Sequence, residues 1–300
     1  MISGYFLVNS YNRNIKKIIG LFLQVIIYGI IMYSAGVILN VVDFKWISFL
    51  AEFVPQNYYV TLYCVLLICS VFYNVLIYNI NKEWLNKLIV ILICLFALWP
   101  TLADILQDLL GRSLIGISPI SAFGNNEGYT LIQFSLMYFL GAYVRINKEK
   151  FQNKNYKFMF IYIFSALIIW IMSFKFQSAW NYCNLFVVIE SFALFIVFMN
   201  LKIQNKGINY VAKHVFGVYI LHTSAIMLEG LWGMMNIRQH IVQGGMSFLA
   251  NMVISVTLMC LFCIVLDIVL QKIMYPFNAV LDRIHIANIR YDIFKSRTKE

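Results

Sequence analysis

Charge is the first thing this sequence has little of. Only 12% of its 300 residues are Asp, Glu, Lys or Arg, about half of what an ordinary soluble domain carries. It also lacks any polar stretch long enough to fold alone: the longest runs from Met274 to Glu300, well short of a self-sufficient core. A separate soluble catalytic domain is therefore excluded. Proline is rare, with Pro55, Pro100, Pro119 and Pro276 read as lying in loops or at helix ends, so no interrupted-helix repeat of the transporter kind is expected. The phosphate-cradling G-x-x-x-x-G-K-[ST], the G-x-S-x-G nucleophile elbow, the H-E-x-x-H zinc pair and an H-x-x-x-x-D acid-base pair are all absent, and no metal site is implied. The two glycine pairs, Gly230 with Gly233 and Gly244 with Gly245, have no strand-to-helix context and read as turns or close packing. Six cysteines lie nearly all within apolar runs, where free Cys behaves as a small hydrophobe, so no disulfide framework is expected. Cys260 and Cys263 form a C-x-x-C without a redox context. The N-terminus has its apolar residues before its charges, which is not a signal-peptide order.

What the sequence has is hydrophobic length: 62% of it is apolar. Apolar runs at 18–39, 58–80, 88–106, 129–144, 158–174, 182–200, 211–231 and 248–270 each approach the roughly 20 residues a helix needs to cross hydrocarbon. The expected fold is all-α, a polytopic transmembrane helix bundle of about eight spans, with 129–144 and 158–174 the short ones. All but four of the 23 Lys and Arg fall in alternate connecting segments; Lys45, Arg112, Lys175 and Arg238 are the exceptions. Because cytoplasmic loops carry the basic excess, the pattern places both termini on the cytoplasmic side, the segment 274–300 as a basic cytoplasmic tail, and the protein in the cytoplasmic membrane. The net charge of +10 is thereby explained as topology, and no nucleic acid is needed as a partner. Rich Ile, Asn, Lys and Tyr usage suits an AT-rich bacterial genome.

An ionisable group at membrane depth costs at least about 2.5 kcal/mol on insertion scales, so each is a functional candidate. Glu190, His222, Glu229 and Asp267 qualify. His222 lies nine residues beyond Lys213, roughly 14 Å along a helix axis, and Glu190 is at similar depth on the preceding helix, so the two are read either as a structural pair or as lining a site. Tyr219 extends the stripe of His222 and Glu229 inward. Glu229 and Asp267, nearer the helix ends, read as interfacial snorkelling, and His214 as a surface imidazole with no chemical role. Asp104, Asp108 and Glu127, with Tyr and Asn nearby, have a composition that binds sugar hydroxyls, or simply ordinary loop polarity.

The segment HVFGVYILH, from His214 to His222, resembles a signature near the penultimate helix of the acyltransferase 3 family of integral membrane acyltransferases. Other segments fall in the order of the subgroup that modifies cell-surface polysaccharides. MISGYFL, with Ser3, resembles the family's apolar-Ser-Gly-aromatic segment, and NRNIKKI the basic run after it. FVPQNYYVTLYCVLLICSVFYNVLI from Phe53 resembles its proline-aromatic loop and following span, and NNEGYTLIQFSLMYFLGAYVRI its glycine-containing span with a closing Arg. The resemblance covers the whole chain, 1–300, as one membrane-embedded domain.

The resemblance implies transfer of an acyl group, usually acetyl, from acyl-CoA (acetyl-CoA in the usual case) to a hydroxyl of a glycan. The partners are then acyl-CoA as a donor substrate, a glycan acceptor and the lipid bilayer, with no bound cofactor. Arg13, Lys16 and Lys17 form an inner-face cluster suited to the CoA phosphates, or to plain positive-inside sorting. His222, Glu190, Tyr219 and Ser3 are the site-lining candidates. The family has about ten helices, with a proposed acid-base His on the first and an Arg upstream. This chain opens at the Ser-Gly segment, so the expectation is a chain without the first helix and most of the second, through a misassigned start or natural shortening, and with the catalytic base outside these residues. The alternatives are a non-catalytic polytopic protein, such as a glycan or lipid export subunit, or a degenerate acyltransferase that only binds.

Overall fold

The computed structural model describes residues 1–224, 226, 227, 242, 244–284, 289 and 290. They are almost entirely helical, and a helix falls at each of the eight expected positions, at 211–231 only as far as Leu221. The chain is an all-α polytopic helix bundle. Six helical stretches among the described residues are long and apolar enough to cross a membrane: Ile15–Ile38, Tyr58–Asn79, Lys82–Leu110, Asn155–Ser173, Gln177–Asn200 and Gly245–Arg283. The fifth expected span, at 158–174, is thus of full length. The other two expected spans are the helices Leu131–Ile146 and Lys206–Leu221, of 16 residues each.

By contacts the chain divides into two compact units. The first is formed by Met1–Asn14, Leu62–Lys202 and Asn288–Glu300. It holds the short α1 (Ile2–Leu7), most of α4 (Tyr58–Asn79), the continuous stretch α5 (Lys82–Ile93), π turn (Cys94–Leu98) and α6 (Trp99–Leu110), then α7 (Leu131–Ile146), α8 (Lys148–Phe151), α9 (Asn155–Ser173) and α10 (Leu185–Asn200). Asn12–Arg13 and Ile289–Arg290 pair as a two-residue antiparallel ladder. The second unit is Ile15–Thr61 with Ile203–Ala287. It holds α2 (Ile15–Ile38), α3 (Trp46–Ala51), the first turn of α4, α11 (Lys206–Leu221) and α12 (Gly245–Arg283).

Local chemistry sets several helix starts. The side chains of Asn81, Thr130, Asn184 and Asn205 each accept from backbone N–H groups in the first turn of α5, α7, α10 and α11, satisfying donors that a helix cannot bond itself. Gly111 ends α6 in the left-handed region, at φ 63°, which glycine adopts without steric cost.

Two expectations about proline are corrected. Pro100 lies inside the continuous Lys82–Leu110 stretch, and Pro276 lies inside α12. A proline has no N–H and its ring crowds the preceding turn. The π turn at Cys94–Leu98 immediately before Pro100 is the kind of local widening that relieves this strain. Helix α12 runs on past Pro276 to Arg283, so the first part of the segment read as a tail continues the last helix.

Each unit buries its own core. In the first, Leu66, Ile77, Leu136, Tyr138, Phe139 and Val188 form one cluster, and Tyr5, Val144, Phe158 and Ile196 another. In the second, Tyr28, Met32, Leu221, Met259, Cys263 and Met274 pack together. The outward faces keep Phe164, Trp170, Ile171, Val253 and Leu261 exposed, as helices immersed in lipid do.

Candidate functional site

The N-terminal segment is locked into the first unit by close approach and by hydrogen bonds. Gly4 of α1 and Gly141 of α7 are the contact points. A Cβ built on Gly4 would collide with the Tyr138 carbonyl, and one on Gly141 with that of Met1. Glycines let helix backbones come this close. Tyr5 then reaches Arg145, whose guanidinium sits 5.0 Å from the ring centroid. Two segments quoted above for their resemblance, the Ser-Gly-Tyr run and the glycine-containing span with its closing Arg, are therefore packed on each other. Ser3 is half-buried on α1.

Arg13 anchors the other end of this segment. It is buried, donating from Nε to Ser70 Oγ (2.8 Å), from Nη1 to Ser10 O (2.8 Å) and from Nη2 to Leu7 O (3.2 Å). Asn74 Nδ2 donates to the carbonyls of Leu7 and Ser10, and Tyr138 Oη to Asn74 Oδ1. The donors of Arg13 are thus engaged within its own unit. Lys16 and Lys17, at the start of α2, belong to the second unit. Lys16 Nζ donates to Asp282 O at 2.7 Å, and Lys17 is exposed.

Asp104 and Asp108 of α6 are also tied internally. Asp104, nearly buried, accepts from Asn125 Nδ2 at 2.6 Å and Asn181 Nδ2 at 2.8 Å. Asp108 accepts from Ser178 N and Oγ. These carboxylates clamp the loops flanking α7 and α10. Glu127, at φ 53°, takes part through its carbonyl, which accepts from Tyr182 N at 2.7 Å.

The second unit contains a buried polar chain for which the sequence reading needs correction. Asp267 has no exposed surface and is not a snorkelling interfacial group. Tyr28 Oη donates to its Oδ1 at 2.6 Å, and His214 Nδ1 bonds its Oδ2 at 2.6 Å. His214, given no role above, is therefore the partner of a fully buried acid. The arrangement requires Gly217 one turn along α11: a Cβ there would collide with the Asp267 carboxylate.

Beside this chain the same unit encloses a polar cavity of about 230 Å³, lined by α2, the segment after α3 and the end of α11. Its polar lining comprises Tyr28, Tyr33, Glu52, Gln56, Asn57, Thr223 and Ser224. Some of these are engaged. Tyr33 Oη accepts from Lys45 N at 2.8 Å, Gln56 Nε2 donates to Ala51 O, and Thr223 Oγ1 donates to Ile220 O. Asn57 Oδ1 accepts from Val60 N and from Tyr219 Oη.

Other polar groups at this cavity are open. Ser224 Oγ is buried and has no hydrogen-bond partner among the described residues. Glu52 makes no side-chain hydrogen bond or ion pair among the described residues, and burial pushes its carboxyl above its ordinary value. Two further cavities, bounded by Leu23, Pro276 and Val280 in this unit and by Leu92, Phe96 and Ile132 in the first, are predominantly apolar.

His222 and Tyr219 adjoin in sequence the lining residues Ile220, Leu221 and Thr223 but are not themselves part of the lining. His222 is the residue just past α11, with Nδ1 3.1 Å from Val218 O, and its ring lies 5.8 Å from that of Tyr219. It was expected in mid-helix, but α11 starts at Lys206, earlier than the apolar run suggested, and ends at Leu221. Tyr219 packs on Tyr59 at 5.0 Å. Glu190 is half-buried on α10, in the first unit, whereas His222 is in the second. Glu229, Gly230, Gly233 and Arg238 lie outside the described residues. Glu52, Ser224, His214 and the burial of Asp267 are what sequence reasoning missed. Only Asp267 carried a signal, as an acid inside an apolar run.

A family model described as an acyltransferase domain matches residues 1–268, a stretch that includes residues of both units and ends one residue past Asp267. No curated protein and no solved structure matches the chain.

Proposed function

The chain belongs to the acyltransferase 3 family, and from that premise we propose that it transfers an acyl group, acetyl in the simplest case, from acyl-CoA to a hydroxyl of a cell-surface or extracellular polysaccharide. In such a reaction the hydroxyl oxygen attacks the thioester carbonyl. A C–O bond forms, the C–S bond breaks and the sulfur leaves with the electron pair. A general base takes the hydroxyl proton, which ends on the CoA thiol. No resident cofactor is required, since acyl-CoA is consumed as a substrate.

The observation that carries this reading is the polar cavity of the second unit, in contrast to the mainly apolar cavities bounded by Pro276 and by Phe96. A glycan hydroxyl needs hydrogen-bonding partners when it leaves water, and Glu52, Asn57 and Ser224 supply them. Tyr219 bonds Asn57 of that lining and His222 precedes the lining residue Thr223, while Glu190 and Ser3 are separate candidates within the first unit. Lys16 and Lys17 are the cations for the CoA phosphates; Arg13 supports them indirectly by holding the segment that precedes α2. The basic loop pattern favours both termini in the cytoplasm, with the protein in the cytoplasmic membrane. Acyl-CoA then arrives at the α2 start and the acceptor at the opposite end.

The test is label transfer by the full chain in lipid nanodiscs, supplied with [14C]acetyl-CoA and deacetylated polysaccharide. Label on the polysaccharide with equimolar free CoA is expected. Acyl-CoA binding without turnover would instead identify a degenerate, binding-only member, and neither binding nor turnover would favour an export subunit.

A further inference from the structure

The cavity of the second unit contains a carboxylate, that of Glu52, with no counter-charge among the described residues. Glu52 lies directly over Gly29 of α2, where any Cβ would collide with its Oε2. The missing side chain at Gly29 thus makes room for the acid against the α2 backbone. Neither ion pair found among the described residues involves Glu52: Lys87 pairs with Glu83, and His214 with Asp267. Close by, Ser224 Oγ is buried without a partner among the described residues, and Asn57 has its oxygen engaged by Val60 and Tyr219, leaving its amide N–H groups as donors toward the space. A buried hydroxyl without a partner is costly, and an acid turned toward a cavity without a cation is poorly compensated. Both deficits are removed by a ligand that brings hydroxyl donors and acceptors together.

We infer that this cavity is the acceptor subsite, that Glu52 binds the hydroxyls of one sugar unit there, and that its charge admits neutral or amino-bearing sugars and disfavours acidic ones. The inference rests on the acyl-transfer reading and adds to it the class of acceptor. Size supports it, because about 230 Å³ is below the roughly 300–1,000 Å³ of drug-sized sites and suits one monosaccharide. So does chemistry. A carboxylate accepts from two hydroxyls at once, and hydrogen bonds to an ionised acceptor are about twice as strong as neutral ones. An added carboxylate on the sugar would meet Glu52 in a partly dry space, where like charges repel strongly.

The experiment uses the full chain in nanodiscs, with methyl β-D-glucoside and methyl β-D-glucuronoside as competing acceptors. Wild type is compared with Glu52→Gln, which keeps the shape and removes the charge, and with Glu52→Asp, which keeps the charge. Glu52→Gln is expected to raise the glucoside KM about 10- to 100-fold, the worth of a charge-assisted hydrogen bond. It should leave the acetyl-CoA KM unchanged, leave the melting midpoint no lower than that of wild type, and narrow the preference for glucoside over glucuronoside. Glu52→Asp should retain that preference. An unchanged glucoside KM and an unchanged preference in a folded Glu52→Gln protein would overturn the inference while leaving acyl transfer intact. If wild type transfers no label to any acceptor, the acyl-transfer reading fails first. Saturation-transfer NMR with the two glycosides then decides the subsite separately: glucoside contact that Glu52→Gln abolishes supports it, and no contact overturns it.

Discussion

Two acids, one in each unit, show how differently buried polarity is handled. Asp104 of the first unit has both carboxylate oxygens bonded by asparagine amides from two loops. Glu52 of the second unit makes no side-chain bond among the described residues and faces a cavity. The same contrast extends outward. Arg13, Ser70, Asn74 and Tyr138 bond one another or nearby carbonyls, while away from that network the amide oxygens of Asn86, Gln133, Asn147 and Asn155 have no partner among the described residues. In the second unit the Tyr28–Asp267–His214 chain is closed in this way, but Glu52 and Ser224 beside it are not. A closed network contributes stability and specifies one packing. An open one beside a cavity has a cost that a ligand can offset, and this marks the second unit as the place to seek binding.

Breaking the closed side should produce the largest effect. Arg13→Ala removes the donor that Ser70 Oγ accepts from, leaves the carbonyls of Leu7 and Ser10 with Asn74 Nδ2 alone, and empties a buried guanidinium site, a lost buried bond being worth about 1–3 kcal/mol. The expected loss is about 3 kcal/mol or more. All six cysteines are free, and Cys64 and Cys183 are buried, so maleimide labelling during heating reports the midpoint directly. A clearly lower midpoint is expected. Arg13→Lys should recover only part of it, because an ammonium does not reproduce the guanidinium fork. A midpoint equal to wild type would show that the network contributes nothing to stability.

The closed chain inside the second unit comes next. Asp267→Ala removes the common partner of Tyr28 and His214, with an expected loss of about 2 kcal/mol, read by exposure of Cys263 on the same helix. Asp267→Asn keeps an acceptor for Tyr28 and should lose less. If the two variants melt together, the charge on Asp267 is what matters and not its hydrogen bonds.

How far the contrast was visible in the sequence depends on the range of the interactions involved. Helices followed from apolar runs, because that signal is local; their starts did not, since α5 and α11 begin at Lys82 and Lys206, ahead of the runs at 88 and 211, behind the caps Asn81 and Asn205. Pro100 and Pro276 were misplaced because the rule that proline ends helices assumes an α-helical ladder, and the π turn before Pro100 changes that ladder. Tyr28, His214 and Asp267 are separated by up to 239 residues, and periodicity gives the face of a helix but not its partner. Gly4 and Gly141 stood in segments already singled out, yet their close approach required the packing. Glu52 sits in a short connection where an acid is ordinary. Only the glycine opposite it and the cavity around it make it unusual.

Lys16 and Lys17 probe the second unit from its other end. Replacing both with Gln should raise the acetyl-CoA KM several-fold, with an effect that shrinks in high salt because exposed charges are screened. The glucoside KM should not move. A parallel rise in both constants would mean that the substitutions disturb α2 as a whole, since Lys16 also bonds Asp282 O.

The smallest effect separates the two kinds of burial most sharply. In a closed network, deleting a hydroxyl leaves its partner orphaned and destabilises. Ser224 Oγ has no partner to orphan among the described residues, so Ser224→Ala removes a desolvated group and loses nothing in return. The expected change in stability is within about 0.5 kcal/mol, with the sign toward stabilisation. Ser70→Ala, whose hydroxyl accepts from Arg13 and donates to Leu67 O, should destabilise by about 1–3 kcal/mol under the same assay. The two substitutions are chemically identical and differ only in whether the hydroxyl is engaged. With glucoside present the order should change for Ser224 alone: its alanine variant should gain less thermal protection from ligand than wild type, because a hydroxyl idle in the empty protein is then in use. Equal ligand protection in wild type and Ser224→Ala would remove Ser224 from the subsite and leave Glu52 and Asn57 to define it.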